Sequence, residues 1–248
     1  MTDEIFRDEP ASSLSRRWLL SRWTWFGGLA ILGFSLVMLE NVTLWRESQI
    51  GTLLTQRGYQ LRNERGWLKR LLPPQWGSGV RFWGDRIVQL EVSLNRSELE
   101  PIADLVPKLR NLTSLQVVQF EMPIEGKVLM YSIEGEPAPL PLPISIKSLQ
   151  SFVADLSDVG RIKSIRLTGF RESQLTSEFV NCLLVLDIED VTLFASRSHT
   201  VGVLRLSTIP RLKTIRFAWC EPDADTEREL QLVRPDVTVQ HTPYPGSW

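Results

Sequence analysis

Apolar residues recur through the second half of this chain in one phrase, apolar-x-x-apolar-x-apolar-x-x-anchor. It reads Ile87, Leu90, Val92, Asn95, then Leu112, Leu115, Val117, Phe120, then Ile162, Ile165, Leu167, Phe170. Leu183, Leu186, Ile188, Val191 and Leu212, Ile215, Phe217, Cys220 complete the series. The alternation inside each phrase is that of a short β-strand with one buried face. The second apolar positions, 90, 115, 165, 186 and 215, stand 25, 50, 21 and 29 residues apart. The double-length step holds one degenerate or inserted unit. Such a period predicts stacked strand-and-return units. An irregular α/β domain with parallel strands is the competing reading.

The segments between phrases supply the returns. Ser97 and Glu100 fit a capping box that would open a helix through Ile102, Leu105 and Val106, ended by Pro107 and Leu109. Residues 121–145 break the rhythm. Within them 128–133 could form a strand, and Pro137, Pro139, Pro141 and Pro143 predict an extended surface loop. Leu149, Phe152, Val153 and Leu156 restore helical spacing. A last short helix begins at Thr226, and Val237 and Val239 mark a closing strand.

The first third follows another pattern. Residues 23–39 carry no charge and are bounded by Arg22 and Glu40. At 17 residues this is the short end of what spans a bilayer. Trp18, Trp23 and Trp25 at one end and Trp45 beyond the other predict interfacial belts. Arg7, Arg16, Arg17 and Arg22 precede the run and only Arg46 follows closely, which predicts a cytoplasmic N-terminus. A cleaved export signal is the competing reading, and Arg16-Arg17 resembles a twin-arginine start, but the exit of the run offers no small-x-small site. Beyond it Leu44, Ile50, Leu53 and Leu54 form a helical stripe that Gly58 can stop. Residues 59–61 predict a short strand, and 67–72 a helical turn or two halted by Pro73-Pro74.

The expected organisation is therefore a cytoplasmic tail at 1–17 and a transmembrane helix with its flanks at 18–44. A juxtamembrane helix and cap follow at 45–86, then a repeat domain at 87–242 with its insertion at 121–145, and a tail at 243–248.

Composition changes this picture little. Among 248 residues, 28 Lys and Arg nearly balance 29 Asp and Glu, so no basic surplus points to nucleic acid. Two cysteines, Cys182 and Cys220, and two separated histidines, His199 and His241, supply no disulfide or zinc framework. No H-E-x-x-H, G-x-S-x-G or phosphate loop is present. Glu221, Asp223 and Asp225 could bind Ca²⁺, but acids just before a helix are better read as capping and dipole partners. We expect no catalytic residues, no metal and no cofactor.

In order, the chain carries an Arg-rich start, one apolar span, a helix ending at Gly58, the segment Trp67-Leu-Lys-Arg-Leu-Leu, Ile87-Val-Gln-Leu-Glu-Val, units such as Ile209-Pro-Arg-Leu-Lys-Thr-Ile, and the closing Arg234-Pro-Asp-Val-Thr-Val. Over most of residues 16–240 it resembles bacterial membrane-anchored leucine-rich repeat proteins. The resemblance implies an α/β fold: a short, irregular solenoid with a curved parallel sheet and helical returns behind one N-terminal transmembrane helix. It also implies a single-pass protein of the inner cell membrane that contacts the bilayer through residues 23–39. Its C-terminal domain would bind a protein partner outside the cytoplasm. The alternative is a structural subunit of a membrane assembly. Where the family favours Asn at the anchor, this chain has Asn95, Phe120, Phe170, Val191 and Cys220.

Side-chain alternation puts Glu91, Gln116, Arg166, Asp187 and Arg216 on the concave face, with Trp219 at its rim. Ser93, Val118, Thr168, Glu189 and Ala218 form the next outward row. The strip is read either as a partner-binding surface or as an alternating-charge ladder across the strands.

Overall fold

In the computed structural model, which describes residues 13–65, 85–122, 142–196, 200–220, 222 and 224–242, seven strands form one sheet whose spatial order is their chain order. Strand β1 (Gln60–Arg65) pairs antiparallel with β2 (Asp85–Ser93). From β2 onward every pairing is parallel, through β3 (Val117–Glu121), β4 (Ser164–Thr168), β5 (Asp190–Phe194), β6 (Thr214–Ala218) and β7 (Thr238–Thr242). Parallel neighbours require a return between them. Those described are α2 (Val106–Leu109), α3 (Ile146–Ser157), α4 (Ser177–Leu183), α5 (Thr200–Leu206) and α6 (Ala224–Val233). The class is α/β with a mostly parallel sheet, as the apolar phrase predicts.

Helix α1 runs unbroken over Ser13–Gln56, so the span and the stripe ending at Leu54 are one helix. The chain divides into two compact units, 1–46 and 47–248. In the first, the stretch beginning at Trp25 is long and apolar enough to cross a membrane, and none of its apolar window is buried. Trp25, Phe26, Ile31 and Leu39 all stand exposed. Asn41 and Thr43 donate to the carbonyls of Val37 and Leu39 at 3.0 and 2.9 Å, satisfying their polar atoms on the helix itself.

In the second unit the last turns of α1 are part of the core, through buried Ile50 and Leu54. Gly58 stops the helix in a left-handed conformation (φ +80°), and the next amide, Tyr59, donates back to Leu54 O at 3.0 Å. Buried Glu47 accepts from Arg86 Nη1 at 2.8 Å and from the Ile87 amide at 3.3 Å, tying the start of β2 to the helix.

Register fixes which side chains face the returns. Leu90, Val118, Ile165, Val191, Ile215 and Val239 form one inward row. Val92, Phe120, Leu167, Leu193 and Phe217 form most of the second. Leu105, Leu109, Phe152, Leu156, Val180, Leu183, Leu206 and Leu230 close over these rows from the returns. Burial of each such side chain contributes roughly 1.5–3 kcal/mol. Phe179 of α4 meets Phe170 and Phe120 with ring centroids 5.2 and 6.3 Å apart, the second pair edge-on.

The register corrects two phrases. The second apolar position of the second unit is Val118, not Leu115, and Phe120 is a core residue rather than an anchor. In the fourth unit that position is Val191, not Leu186. From residue 165 the equivalent positions are 165, 191, 215 and 239, spaced by 26, 24 and 24.

The Ser97–Glu100 capping box does not form. The return begins with a 3₁₀ turn at Ala103–Leu105, whose N-cap Ile102 has no side-chain cap, and Pro107 lies in the first turn of α2 instead of ending it. The strand expected at 128–133 and Pro137, Pro139 and Pro141 of the proline loop lie outside the described residues, as do 67–72, His199, Glu221 and Asp223. Arg234, just before the closing strand, donates to the carbonyls of Ser207, Ile209 and Leu212 and pairs with Asp236 at 2.9 Å. It thereby satisfies the turn that leads into β6.

Candidate functional site

The same register defines the face opposite the returns. Its middle row is Glu91, Gln119, Arg166, Thr192, Arg216 and Gln240. Glu91, Arg166 and Arg216 therefore stand where the sequence places them. Gln116 and Asp187 do not: Gln119 and Thr192 hold those positions. Gln116 precedes β3, and its carbonyl accepts from the Lys163 and Ser164 amides. Exposed Asp187 pairs with Arg211 at 2.6 Å at the N-terminal rim of the sheet. The expected ladder of Arg166, Asp187 and Arg216 is thus absent.

The next outward row is Ser93, Glu121, Thr168, Phe194 and Ala218. Val118 turns inward and Glu189 sits in the turn before β5, so neither belongs to it. Glu189 instead bridges Lys163 and Lys213 of the neighbouring turns at 2.6 and 2.5 Å. Hydrogen bonds from both lysines hold its carboxyl down at about 2.

Arg166 is the centre of the outward face. Its guanidinium lies over the Phe194 ring, 4.3 Å from the centroid. Phe194 in turn packs against Trp219 with ring centroids 4.7 Å apart. Sequence spacing places Trp219 at the rim of the strip but misses Phe194, the ring that stands between Arg166 and Trp219. Arg166 is half-buried, and its Nε is buried without a hydrogen-bond partner. Burial lowers its pKa, Arg62 of β1 and Arg216 lower it further, and Glu91 opposes them. Glu91 itself accepts from Gln89 Nε2 at 3.0 Å, and Gln89 also donates to Gln119 Oε1 at 2.7 Å. Arg216 reaches Gln240 Oε1 at 2.9 and 3.1 Å. Beside Arg166 in the fold, Thr168 is 5% exposed and its hydroxyl has no partner.

Trp219 owes its position to a turn that repeats. Thr168, Phe194 and Ala218 end their strands in register, and each next residue is left-handed: Gly169 (φ +73°), Ala195 (φ +46°) and Trp219 (φ +57°). Their amides donate across the sheet to Phe194 O, Ala218 O and Thr242 O at 3.0, 3.0 and 3.2 Å. Glycine adopts this conformation freely, whereas a bulky side chain there is an outlier costing roughly 1–2 kcal/mol. The turn leaves Trp219 38% exposed.

One residue further on lie the anchors, Phe170, Ser196 and Cys220. Ser196 Oγ accepts from the Phe170 amide at 3.2 Å and donates toward Phe194 O or Leu167 O at 3.0 and 3.1 Å. Cys220 Sγ donates to Leu193 O at 3.3 Å. The anchor of the fourth unit is therefore Ser196, not Val191. Reading the phrase as Ile188, Val191, Leu193, Ser196 would have found it. Both cysteines are free thiols, pushed up by burial. Among the described residues no group of three His, Cys, Asp or Glu side chains is placed to hold a metal ion. Asp225 pairs instead with Arg228 at 3.0 Å. What this face offers chemically is directional donors, an aromatic step and a half-buried guanidinium whose Nε has no hydrogen-bond partner. Neither a family model nor a curated protein matches this chain.

Proposed function

We propose that this chain is a single-pass, membrane-anchored leucine-rich repeat module. Its outward sheet face binds a protein partner outside the cytoplasm, and it carries out no catalysis. Trp219 carries the reading. An indole held in a left-handed turn, where the equivalent residue two strands earlier is Gly169, carries backbone strain, and strain of this kind collects at binding sites. Tryptophan and arginine are also the residues most enriched at interface hot spots, and Arg166, Phe194 and Trp219 form one contiguous stack. The repeat assignment is supported by the 26- and 24-residue spacings and by the anchors Ser196 and Cys220 bonding back to the preceding strand. The membrane assignment is supported by the exposed apolar stretch of α1 and by the arginines that precede it.

The test is a photo-crosslinking amino acid in place of Thr192 on the outward row, with Gln150 on the exposed side of α3 as control. Irradiation of intact membranes is expected to join a partner protein to the first variant and none to the second. No adduct from Thr192, or equal adducts from both positions, removes the reading. The alternative, a structural subunit of a membrane assembly, draws on exposed Leu232 and Val233 at the end of α6 and on the sheet-edge position of β7. It predicts a stoichiometric adduct from those positions that persists in high salt.

A further inference from the structure

We infer that the outward face selects an extended acidic peptide segment, seating one carboxylate on Arg166 and a second on Arg216. The inference rests on the partner-binding reading and adds the partner's chemistry.

Arg166 carries most of it. A half-buried guanidinium normally has a carboxylate or carbonyl beside it, because a desolvated cation left alone is costly. Among the described residues neither hydrogen-bonds to Arg166: its guanidinium packs on the Phe194 ring, and its Nε is buried without an acceptor. A ring beneath a guanidinium leaves the planar fork of N–H groups free to grip a carboxylate in two-point fashion.

Charge around it points the same way. Arg62 and Arg216 both act on Arg166 as like charges, and among the described residues Glu91 opposes them. Glu91 already accepts from Gln89 at 3.0 Å. Arg166 thus stands near two like charges, and an anion arriving at its guanidinium offsets them. Beside them the buried Thr168 hydroxyl lacks a partner, and Phe194 with Trp219 offers an apolar step.

Geometry sets the spacing of the ligand. Arg166 and Arg216 stand two strands apart on one row, a separation of about 9.6 Å at ~4.8 Å per strand. Three residues of peptide in the polyproline II conformation, at ~3.1 Å each and three per turn, cover that distance and bring the first and fourth side chains to one face. The recognised pattern is therefore Glu-x-x-Glu or its Asp equivalents, with an apolar residue between the acids. Glu91, Glu121 and Asp190 on the same face disfavour a nucleic-acid strand, which would bring a phosphate at every nucleotide.

The experiment uses the full chain in phosphatidylcholine nanodiscs and fluorescence anisotropy. The probe is a labelled peptide with Glu-Ala-Leu-Glu between Gly-Ser flanks, and a second probe carries Lys in place of Glu. The Glu peptide is expected to bind and the Lys peptide not to. Arg166→Gln should weaken binding by about tenfold or more, the loss of a charge-assisted contact. Arg216→Gln, at an exposed position that tolerates change, should weaken it several-fold and covers the case in which Arg166→Gln fails to fold. Lys213→Gln removes the same charge at the N-terminal rim and should cost less than about twofold.

The inference is overturned if the Glu peptide does not bind, or if Arg166→Gln and Arg216→Gln bind as the unmodified chain does. Equal loss in Lys213→Gln, or equal competition by an oligothymidylate, overturns it as well. Crosslinking from Thr192 that survives Arg166→Gln would keep the partner reading and remove the acidic one. Arg166-dependent peptide binding with no crosslinked partner would do the reverse.

Discussion

Replacing Ser196 by Ala should be among the most damaging single-atom changes in the sheet unit. Ser196 is 4% exposed, and its hydroxyl both receives the Phe170 amide at 3.2 Å and donates toward the carbonyls of Phe194 and Leu167. Alanine fills nearly the same space, so packing hardly changes. What changes is that a buried N–H at Phe170, itself fully buried, loses its acceptor. An orphaned buried donor costs about 1–3 kcal/mol, and the lost donated bond adds about 1 kcal/mol, so a destabilisation near 3 kcal/mol is expected. Cysteine should recover about half of this, because Cys220 already performs the equivalent task in the next unit, with a longer and weaker bond to Leu193 O at 3.3 Å. The assay is pulsed hydrogen exchange over residues 164–170 along a urea series, with the full chain in detergent, so that α1 does not enter the signal. With a urea dependence of about 2–3 kcal/mol per molar, the midpoint should fall by about 1 M for Ala and about 0.5 M for Cys. An Ala midpoint within about 0.2 M of the parent, with the Phe170 amide protected as before, would refute the anchor argument.

Three further outcomes are expected. Trp219→Gly should be more stable than Trp219→Ala by about 1 kcal/mol, the reverse of the usual order, because only glycine relaxes the left-handed turn, and paired melting curves decide it. Thr168→Val should be neutral or stabilising by up to about 1 kcal/mol, since it removes a buried hydroxyl that has no partner; a loss above that in urea unfolding would mean the hydroxyl is satisfied in solution. Glu189 has its pKa lowered from 4.5 to about 2, so the stability it contributes is present above about 4.5 and fades as pH falls toward 2. Stability of the parent relative to Glu189→Gln, measured at low salt, should shrink across that window and stay level above it.

The fold was legible where period and alternation agreed. Leu90, Val92, Ile165, Leu167, Ile215 and Phe217 turn inward as the phrase requires, and α3 follows Leu149, Phe152, Val153 and Leu156. Two strands were displaced, β3 by three residues and β5 by five, for one physical reason. Leu112, Leu115, Leu183 and Leu186 are themselves buried, because the turn leading into each strand also packs on the core. The local pattern therefore admits two frames. Cross-strand hydrogen bonds choose between them, as when Val118 aligns with Ile165 and Val191 with Ile215, and those bonds join residues 24 to 47 positions apart. The shift explains the site as well. Gln116 and Asp187 left the outward row because their strands moved, while Arg166 and Arg216, in correctly framed strands, stayed. Phe194 is hidden from the sequence because the apolar pattern places its strand five residues too early.

The arrangement separates two kinds of constraint within each unit. Inward rows and anchors are bound to neighbours by packing and by bonds such as Ser196 to Phe170, so substitutions there are paid for in stability. The middle outward row behaves differently: Thr192, Arg216 and Gln240 are partly or fully exposed and touch the core little. Such a row can change its side chains while the sheet stays intact, which is what a recognition surface requires. Arg166, Thr168 and Trp219 are the exceptions, each carrying a local cost in charge, hydrogen bonding or backbone conformation. Three such costs gather around one ring, Phe194, and it is on this concentration of local strain that the proposed partner contact rests.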